Sequence, residues 1–199
     1  LMAHLSGDST MISDFLSGQD IHSATASKIF GVPVSEVTRE MRARAKAVNF
    51  GIIYGLGDLG LAKSLGISRA EASSFIAAYY RRYPGVRRFM DRTLESARAG
   101  EAVRSMLGRR RPVPDIGSAN RAQRLAAERI AMNMPIQGSA ADLFKLAMIA
   151  FTSPPTPGAR MVLTVHDELV FEVPVAEAEA ARAAIRRTME GVIDLAVPL

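Results

Sequence analysis

Apolar residues recur at helical spacing through most of the first 150 positions of the chain. Capping residues mark several helix starts, and the clearest is Ser68, with Glu71 three residues later forming a capping box. Pro135 and Gly138 predict a break between the last two helices of this part. The predicted helices cover residues 10–17, 22–30, 68–82, 85–99, 119–133, 138–151, and a long segment from Ser35 or Thr38 to about Tyr54.

The periodicity of apolar positions changes after a Pro-rich loop at residues 153–158. Two β-rich runs, 161–165 and 169–173, flank the sequence His166-Asp167-Glu168. An amphipathic helix is predicted over residues 176–193, and residues 101–118, rich in Gly, Pro and Arg, predict a basic loop or hairpin. The fold class predicted from this order is α+β, with a mostly helical portion preceding a small α+β portion.

Composition narrows the classes of function. The chain of 199 residues contains no Cys, which excludes disulfide scaffolds, thiolate zinc sites and cysteine nucleophiles. Its three His residues lie far apart in sequence, which argues against a histidine metal cluster. No apolar stretch reaches the length of about 18 residues that predicts a membrane span. We therefore expect a cytoplasmic protein without a membrane partner.

Positive charge is concentrated in the middle of the chain. Residues 28–129 carry 20 basic and 9 acidic residues, whereas residues 1–27 and 130–199 each have a net charge of −3. Arginine accounts for 21 of the 25 basic residues and favours bidentate contacts with phosphate. A coding bias could explain Arg in place of Lys but not the clustering. The distribution therefore favours binding to nucleic acid or nucleotide.

The long predicted helix carries a stripe of two cations and two aromatic rings. Its members, spaced by four residues, fall within about 120° of one face, and Met41, Ala45, Val48 and Ile52 form a nearly opposite apolar face. Cations can neutralise a polyphosphate while a ring offers a stacking surface for a base. The alternative is a solvated basic face with packed rings. The stripe consists of Arg42, Lys46, Phe50 and Tyr54.

The predicted hairpin turn places two carboxylates side by side. Asp167 and Glu168 are the oxygen ligands that suit Mg²⁺ shared with substrate phosphates, although acidic residues are also common in turns. A two-metal site needs a further carboxylate from another element. None is convincing, because Asp8, Asp14 and Asp20 are expected to be loop or capping residues, and Glu128 and Asp142 lie on predicted helices.

Several segments together resemble family A DNA polymerases of the bacterial DNA polymerase I type. The run RARAKAVNFGIIYG at residues 42–55 resembles the motif of the family's fingers helix, and VHDELVFE at 165–172 resembles its palm carboxylate hairpin. The resemblance covers essentially the whole chain, in order and at family-like spacing. Shorter matches are DIH at 20–22, YPG at 83–85, GRR at 108–110, PDI at 114–116 and NMPIQG at 133–138.

This resemblance implies roles for individual residues. Lys46 and Arg42, assisted by His22, would bind the triphosphate of an incoming deoxynucleotide, while Phe50 would stack near its sugar and base. Asp167, supported by Glu168, would hold catalytic Mg²⁺, and Lys46 would also act in catalysis. Tyr54 and Gly55 would lie at the templating base. The residues implied to contact primer or template are Arg129, Asn133, Gln137 and His166.

The resemblance also implies a domain arrangement within the right-hand polymerase fold. Residues 1–15 and 119–199 would belong to the palm, and residues 16–118 to the fingers. The family's strand with the other catalytic Asp precedes the segment that resembles Leu1–Leu5. We therefore expect a fragment of a larger, monomeric polymerase, inactive alone, whose partners are primer–template DNA and deoxynucleoside triphosphates.

Two alternatives remain open at this point. A single-subunit RNA polymerase shares a Lys and Tyr-Gly pattern in its fingers, although the sequence His166-Asp167-Glu168 favours the DNA enzyme. A non-catalytic basic DNA-binding protein derived from a polymerase fold would bind DNA without nucleotide specificity. Primer extension measured together with DNA binding separates the second alternative from a polymerase.

Overall fold

The computed structural model describes residues 1–199 as a mostly helical chain with two small antiparallel sheets, which confirms the predicted fold class. Three short 3₁₀ turns lie at Val34–Glu36, Pro114–Gly117 and Val175–Glu177. The helices are α1 (Met2–Ser6), α2 (Ser9–Leu16), α3 (Ile21–Phe30), α4 (Arg39–Ile53), α5 (Asp58–Leu65), α6 (Arg69–Arg82), α7 (Pro84–Arg98), α8 (Arg121–Ala150) and α9 (Ala178–Glu190). The strands are β1 (Val103–Arg104), β2 (Arg110–Arg111), β3 (Arg160–Val165) and β4 (Glu168–Glu172).

Side-chain caps define the start of several helices. The predicted capping box is confirmed, because Ser68 accepts from the backbone N–H of Glu71 and the Glu71 carboxylate accepts from the N–H of Ser68. Thr38, and not Ser35, caps α4 by accepting from the N–H of Met41 at 3.2 Å. Asp8 and Asp20 cap α2 and α3, as expected from the sequence.

Asp14 is not a capping residue, so that expectation was wrong. It lies inside α2 and is buried, and its two carboxylate oxygens accept from Nη2 of Arg82 at 2.7 and 2.9 Å. The hydroxyl of Tyr83 donates to the same carboxylate at 2.9 Å. Burial, followed by this hydrogen bond, raises the pKa of Tyr83 to about 12. The carboxylate therefore ties α2 to the junction of α6 and α7.

Helix α8 runs without interruption through Pro135, whereas a break was predicted between residues 133 and 138. Proline inside a helix costs about 3 kcal/mol, so non-local packing must offset it. Pro135, Ile136, Gly138 and Ser139 are all buried. A Cβ on Gly138 would lie 3.2 Å from the Cβ of Ser105, so this glycine allows the β1–β2 segment to approach the helix.

The main apolar core lies between α1, α2 and α4–α7. Met11, Val48, Ile52, Leu61 and Tyr83 are among its most buried side chains. Each buried aliphatic side chain of this size stabilises the fold by about 1.5–3 kcal/mol. A second, smaller cluster packs the β1–β2 segment on α7 and α8, and its members are Ala97, Val103, Val113, Ile116, Ala127, Ala131 and Met134.

The junction of α6 and α7 packs tightly against the start of α2. Gly85 is buried, and its N–H donates to the Asp8 carboxylate at 2.6 Å. A Cβ at Gly85 would lie 2.8 Å from the Cβ of Asp8 and 2.9 Å from its Cα. We therefore expect Gly85→Ala to destabilise the chain by about 1–3 kcal/mol, because backbone must move to accommodate the methyl group. Urea unfolding of the isolated chain measures this difference.

Gly117→Ala is the matched control for that substitution. A Cβ at Gly117 meets nothing within 4 Å, and the residue has no positive φ. A free energy of unfolding equal in the Gly85→Ala and Gly117→Ala variants would contradict the steric argument.

The second sheet is the predicted hairpin of β3 and β4. Val165 pairs with Glu168 beside the turn, and Arg160 pairs with Glu172 at the other end. The ring of Phe171 packs edge-on against that of Phe151, with 4.8 Å between centroids, which anchors the hairpin to the end of α8. The basic segment also contains a short hairpin, β1–β2, while α9 is shorter than predicted. No helix combines the length and the hydropathy needed to cross a bilayer.

Candidate nucleotide and nucleic-acid site

Helix α4 has the two faces predicted from its sequence. Ala45, Val48 and Ile52 are buried in the core, whereas the predicted stripe of Arg42, Lys46, Phe50 and Tyr54 is exposed. Phe50 and Tyr54 keep 41% and 37% of their surface accessible. Large aromatic side chains usually bury more of their area, so two exposed rings on one helix face indicate a binding surface.

Three side chains of the stripe, Lys46, Phe50 and Tyr54, lie next to one another along the helix. The rings of Phe50 and Tyr54 are nearly parallel, at 19°, with centroids 6.1 Å apart. Nζ of Lys46 lies 5.7 Å from the centroid of Phe50. The arrangement therefore places a cation at one end of a flat aromatic surface, which suits a ligand with a phosphate and a base.

Arg42 is not an unpaired cation on this surface. Its Nε and Nη2 donate to the carboxylate of Asp20 at 2.5 and 3.2 Å. This hydrogen bond is the main reason that the pKa of Asp20 lies well below its usual range, and the pKa of Arg42 is raised in turn. Asp20 was expected only to cap α3. Its ion pair with Arg42 joins the start of α3 to α4, a contact that the sequence did not predict.

His22 lies beside the stripe, as the resemblance implied, and has a partner that the sequence analysis missed. Its Nδ1 is 3.0 Å from Nδ2 of Asn49, a buried residue of α4. The His22 ring is 5.8 Å from that of Phe50. Burial and the nearby charges of Arg42 and Lys46 lower the pKa of His22, against the opposing effect of Asp20. The imidazole is therefore neutral at pH 7.

Gly55 brings the end of α4 against helix α8. It has a φ of 74°, in the left-handed region that favours glycine. A Cβ here would lie 2.2 Å from Cε of Met132 and 3.4 Å from Cγ of Arg129. The structure thus brings Gly55 and Arg129 together, two of the residues implied to contact DNA.

The other implied DNA contacts on α8 follow Arg129 at helical spacing. Arg129, Asn133 and Gln137 are four residues apart and share one face of the helix. Arg129 and Gln137 are exposed, and Asn133 is half-buried with its Oδ1 lacking any hydrogen-bond partner. A polar face of this kind can donate to and accept from nucleic acid.

The hairpin turn carries the remaining implied residues. His166 has a φ of 53°, and it is the only non-glycine residue of the chain with a positive φ. Primed hairpin turns need this conformation at their first central position. Asp167 and Glu168 are exposed and make no ion pair, so both carboxylates are free to bind a ligand.

No cluster of three or more metal-ligating side chains occurs in the structure. Glu128 pairs with Arg98 at 2.7 Å, and Asp142 accepts from Nε of Arg109 at 2.8 Å. Both helical carboxylates are therefore already paired with arginines. No ion pair, hydrogen bond or ring contact links the hairpin turn with the α4 stripe.

Comparisons with known proteins identify relatives over the whole chain. The profile of "DNA polymerase family A" matches residues 1–199. DNA polymerase I of Caldicellulosiruptor bescii is 48% identical over 202 residues, which cover 100% of this chain and 24% of that protein. The thermostable DNA polymerase I of Thermus aquaticus is 48% identical over 200 residues, again 100% and 24% of the two chains.

A solved structure has the same fold as this chain. The POL domain of Pol1 from M. smegmatis, in complex with DNA primer-template and dNTP, superposes with a TM-score of 0.91 at 44% identity. The match covers 100% of this chain and 35% of that one. The chain spans about a quarter of the length of the curated relatives above.

Proposed function

We propose that this chain, which belongs to DNA polymerase family A, supplies the fingers and part of the palm of a template-directed DNA polymerase. The observation that carries the proposal is the exposed stripe on α4, where Lys46 and the stacked rings of Phe50 and Tyr54 form one continuous surface. Residues 16–118 form the fingers in this proposal, and residues 1–15 and 119–199 contribute to the palm.

The stripe binds the incoming deoxynucleoside triphosphate in this proposal. Lys46, Arg42 and His22 contact the phosphates, and Phe50 stacks near the sugar and base. Arg42 is already paired with the Asp20 carboxylate at 2.5 Å. A phosphate that binds Arg42 must therefore share the guanidinium with this carboxylate or displace it. Both partners are exposed, so this exchange occurs in water and its free-energy cost is small.

Primer and template lie along the polar face that begins at the end of α4. Tyr54 and Gly55 adjoin the templating base, and Arg129, Asn133, Gln137 and His166 contact the strands near the primer terminus. The close approach of Gly55 to Arg129 supports this assignment because it makes the nucleotide surface continuous with α8. The M. smegmatis relative was solved in complex with DNA primer-template and dNTP, which supports the same partners for this chain.

Family A polymerases generally use Mg²⁺, and the hairpin turn offers a partial site for it. Asp167 and Glu168 fit a Mg²⁺ ion that shares its coordination between one or two carboxylates and substrate phosphates. With Mg²⁺ held there, the two carboxylates would help to stabilise the charge that develops as a primer 3′-hydroxyl attacks the α-phosphate. The carboxylates of this chain form no larger cluster, so we propose that it does not polymerise alone.

Primer extension with Mg²⁺ tests this function. We expect the isolated chain to bind a primed DNA duplex in a salt-sensitive manner without extending the primer, and the complete polymerase domain that contains it to extend with deoxynucleotides. A complete domain that binds DNA but never extends would identify a non-catalytic binding protein. Extension by the isolated chain would show that its own carboxylates complete the metal site.

A further inference from the structure

The contact between Asn49 and His22 is a buried polar pair next to the proposed triphosphate surface. Asn49 lies on α4 between Lys46 and Phe50, and only 3% of its surface is exposed. Its Nδ2 approaches Nδ1 of His22 at 3.0 Å. An amide nitrogen can only donate, so Nδ1 of the imidazole accepts and carries no proton.

The proton of a neutral His22 then resides on Nε2. No protein group forms a hydrogen bond with Nε2, because the contact with Asn49 is the only side-chain hydrogen bond of this imidazole. Nε2–H is consequently a free donor on an imidazole whose ring centroid lies 5.8 Å from that of Phe50. Which nitrogen of a histidine is protonated is commonly decided by the partner of the other nitrogen.

We propose that Asn49 is a positioning residue that holds His22 as the Nε2–H tautomer, so that the imidazole donates a hydrogen bond to the incoming triphosphate. This inference rests on the nucleotide-binding role of His22 proposed above. Asn49 itself touches no substrate and acts only through the orientation and protonation of the ring.

The surrounding charges favour a neutral donor at this position. Arg42 and Lys46 already place two cations on the surface, and with burial they lower the pKa of His22. A third cation would be repelled by both of them, whereas a neutral N–H adds a hydrogen bond without that penalty. The Asp20 carboxylate opposes the shift, but it is engaged by both Nε and Nη2 of Arg42.

The other end of the Asn49 amide argues against a purely structural role. Its Oδ1 is buried and has no hydrogen-bond partner. A buried acceptor without a partner destabilises a fold. A leucine at this position would therefore give a more stable core than asparagine does. The amide lines a mostly apolar cavity of about 310 Å³ together with His22, Phe50 and Tyr54, so it lies next to three residues of the proposed site.

NMR of the imidazole nitrogens tests the inference without relying on activity. Long-range ¹H–¹⁵N spectra of the complete polymerase with labelled histidine should show His22 with Nδ1 unprotonated and Nε2 protonated. Asn49→Leu should yield a mixture of tautomers while the free energy of unfolding is unchanged or higher. Asn49→Asp should protonate Nδ1, because a carboxylate can only accept. A wild-type Nδ1–H ring, or the same tautomer in Asn49→Leu, would overturn the proposal.

Kinetics of the complete polymerase test the consequence for the nucleotide. Asn49→Leu should raise the KM for dTTP about tenfold, with duplex affinity and kcat little changed. Adding Asn49→Leu to a His22→Gln variant should produce no further increase, because the effect passes through His22. Additive increases in KM would contradict the positioning role.

The two proposals can fail separately. If His22→Gln and Lys46→Ala both leave the KM for dTTP unchanged, the nucleotide site is wrong, and the role of Asn49 in binding falls with it. The NMR spectra would then still decide whether Asn49 determines the tautomer. If those two variants weaken dTTP binding and Asn49→Leu does not, only the positioning role is wrong.

Discussion

Asp167→Asn in the complete polymerase is expected to reduce primer extension by about 10³-fold or more, with little change in DNA affinity. The side chain is exposed at the turn between β3 and β4 and makes no ion pair, so the substitution removes a charge without disturbing packing. A Mg²⁺ ion held by this carboxylate would contribute several kcal/mol of transition-state stabilisation, and about 4 kcal/mol corresponds to about 10³-fold in rate.

Glu172→Gln is the matched control for this substitution. Glu172 also lies on β4 and is exposed, but it pairs with Arg160 at the end of the hairpin away from the turn. An exposed pair of this kind contributes little to stability, so extension by the Glu172→Gln variant should remain near that of the parent enzyme. Mg²⁺-dependent extension by Asp167→Asn at more than a tenth of the parent rate would show that this carboxylate holds no catalytic ion.

Lys46→Ala is expected to lower kcat/KM for deoxynucleoside triphosphates by about 10²-fold. Nζ of Lys46 has no carboxylate partner and lies 5.7 Å from the centroid of Phe50, so it is free to bind a phosphate. A charge-assisted hydrogen bond to phosphate contributes about 1.5–3 kcal/mol, which matches this loss. Affinity for a primed duplex should fall by no more than about twofold, since one exposed cation among many is removed.

Arg44→Ala separates a specific role of Lys46 from a general effect of charge. Arg44 is exposed on the same helix and pairs with Glu40 at 3.4 Å, and its removal changes the net charge by the same amount. Steady-state kinetics with varied dNTP and a filter or anisotropy assay for the duplex provide both quantities. Equal losses of nucleotide use and duplex affinity in Lys46→Ala would refute the assignment of this lysine to the triphosphate.

Features that depend on neighbouring residues could be predicted from the sequence. The capping box at Ser68 and Glu71, the two faces of α4 and the tight hairpin around His166 are confirmed. Each depends on contacts within a few residues and on helical or strand periodicity. Both can be recognised from the order of residues along the chain. The resemblance to family A polymerases used the same segments, and the matched profile confirms it.

Contacts between distant parts of the chain could not be predicted in this way. Asn49 contacts His22, which is 27 positions away in the sequence, and Arg82 binds Asp14, which is 68 positions away. Asp14 illustrates the error that results, because a polar residue near a helix start was expected to cap it. The structure buries it instead under a guanidinium and a phenol. A single sequence contains no signal for such pairs, since their partners meet only when helices pack.

Helix α8 shows why local preference and final structure differ. Pro135 and Gly138 disfavour a helix locally, yet both are buried, Gly138 close to Ser105 of the β1–β2 segment, and α8 is continuous over 30 residues. The face that carries Arg129, Asn133 and Gln137 therefore extends without a break past the end of α4. The free energy gained by burying apolar area over many residues exceeds the penalty of one proline. A short stretch of sequence does not reveal this gain, because it depends on residues elsewhere in the chain.

The sequence by itself determined the family, the fold class and the residues of the exposed stripe on α4, because helical periodicity and short motifs act over a few positions. Only the tertiary structure decided that Arg42 pairs with Asp20, that Asn49 contacts His22 and that Gly55 lies against α8 at Arg129. These pairings depend on how helices α3, α4 and α8 pack. That packing results from the burial of whole apolar faces, which no local pattern encodes.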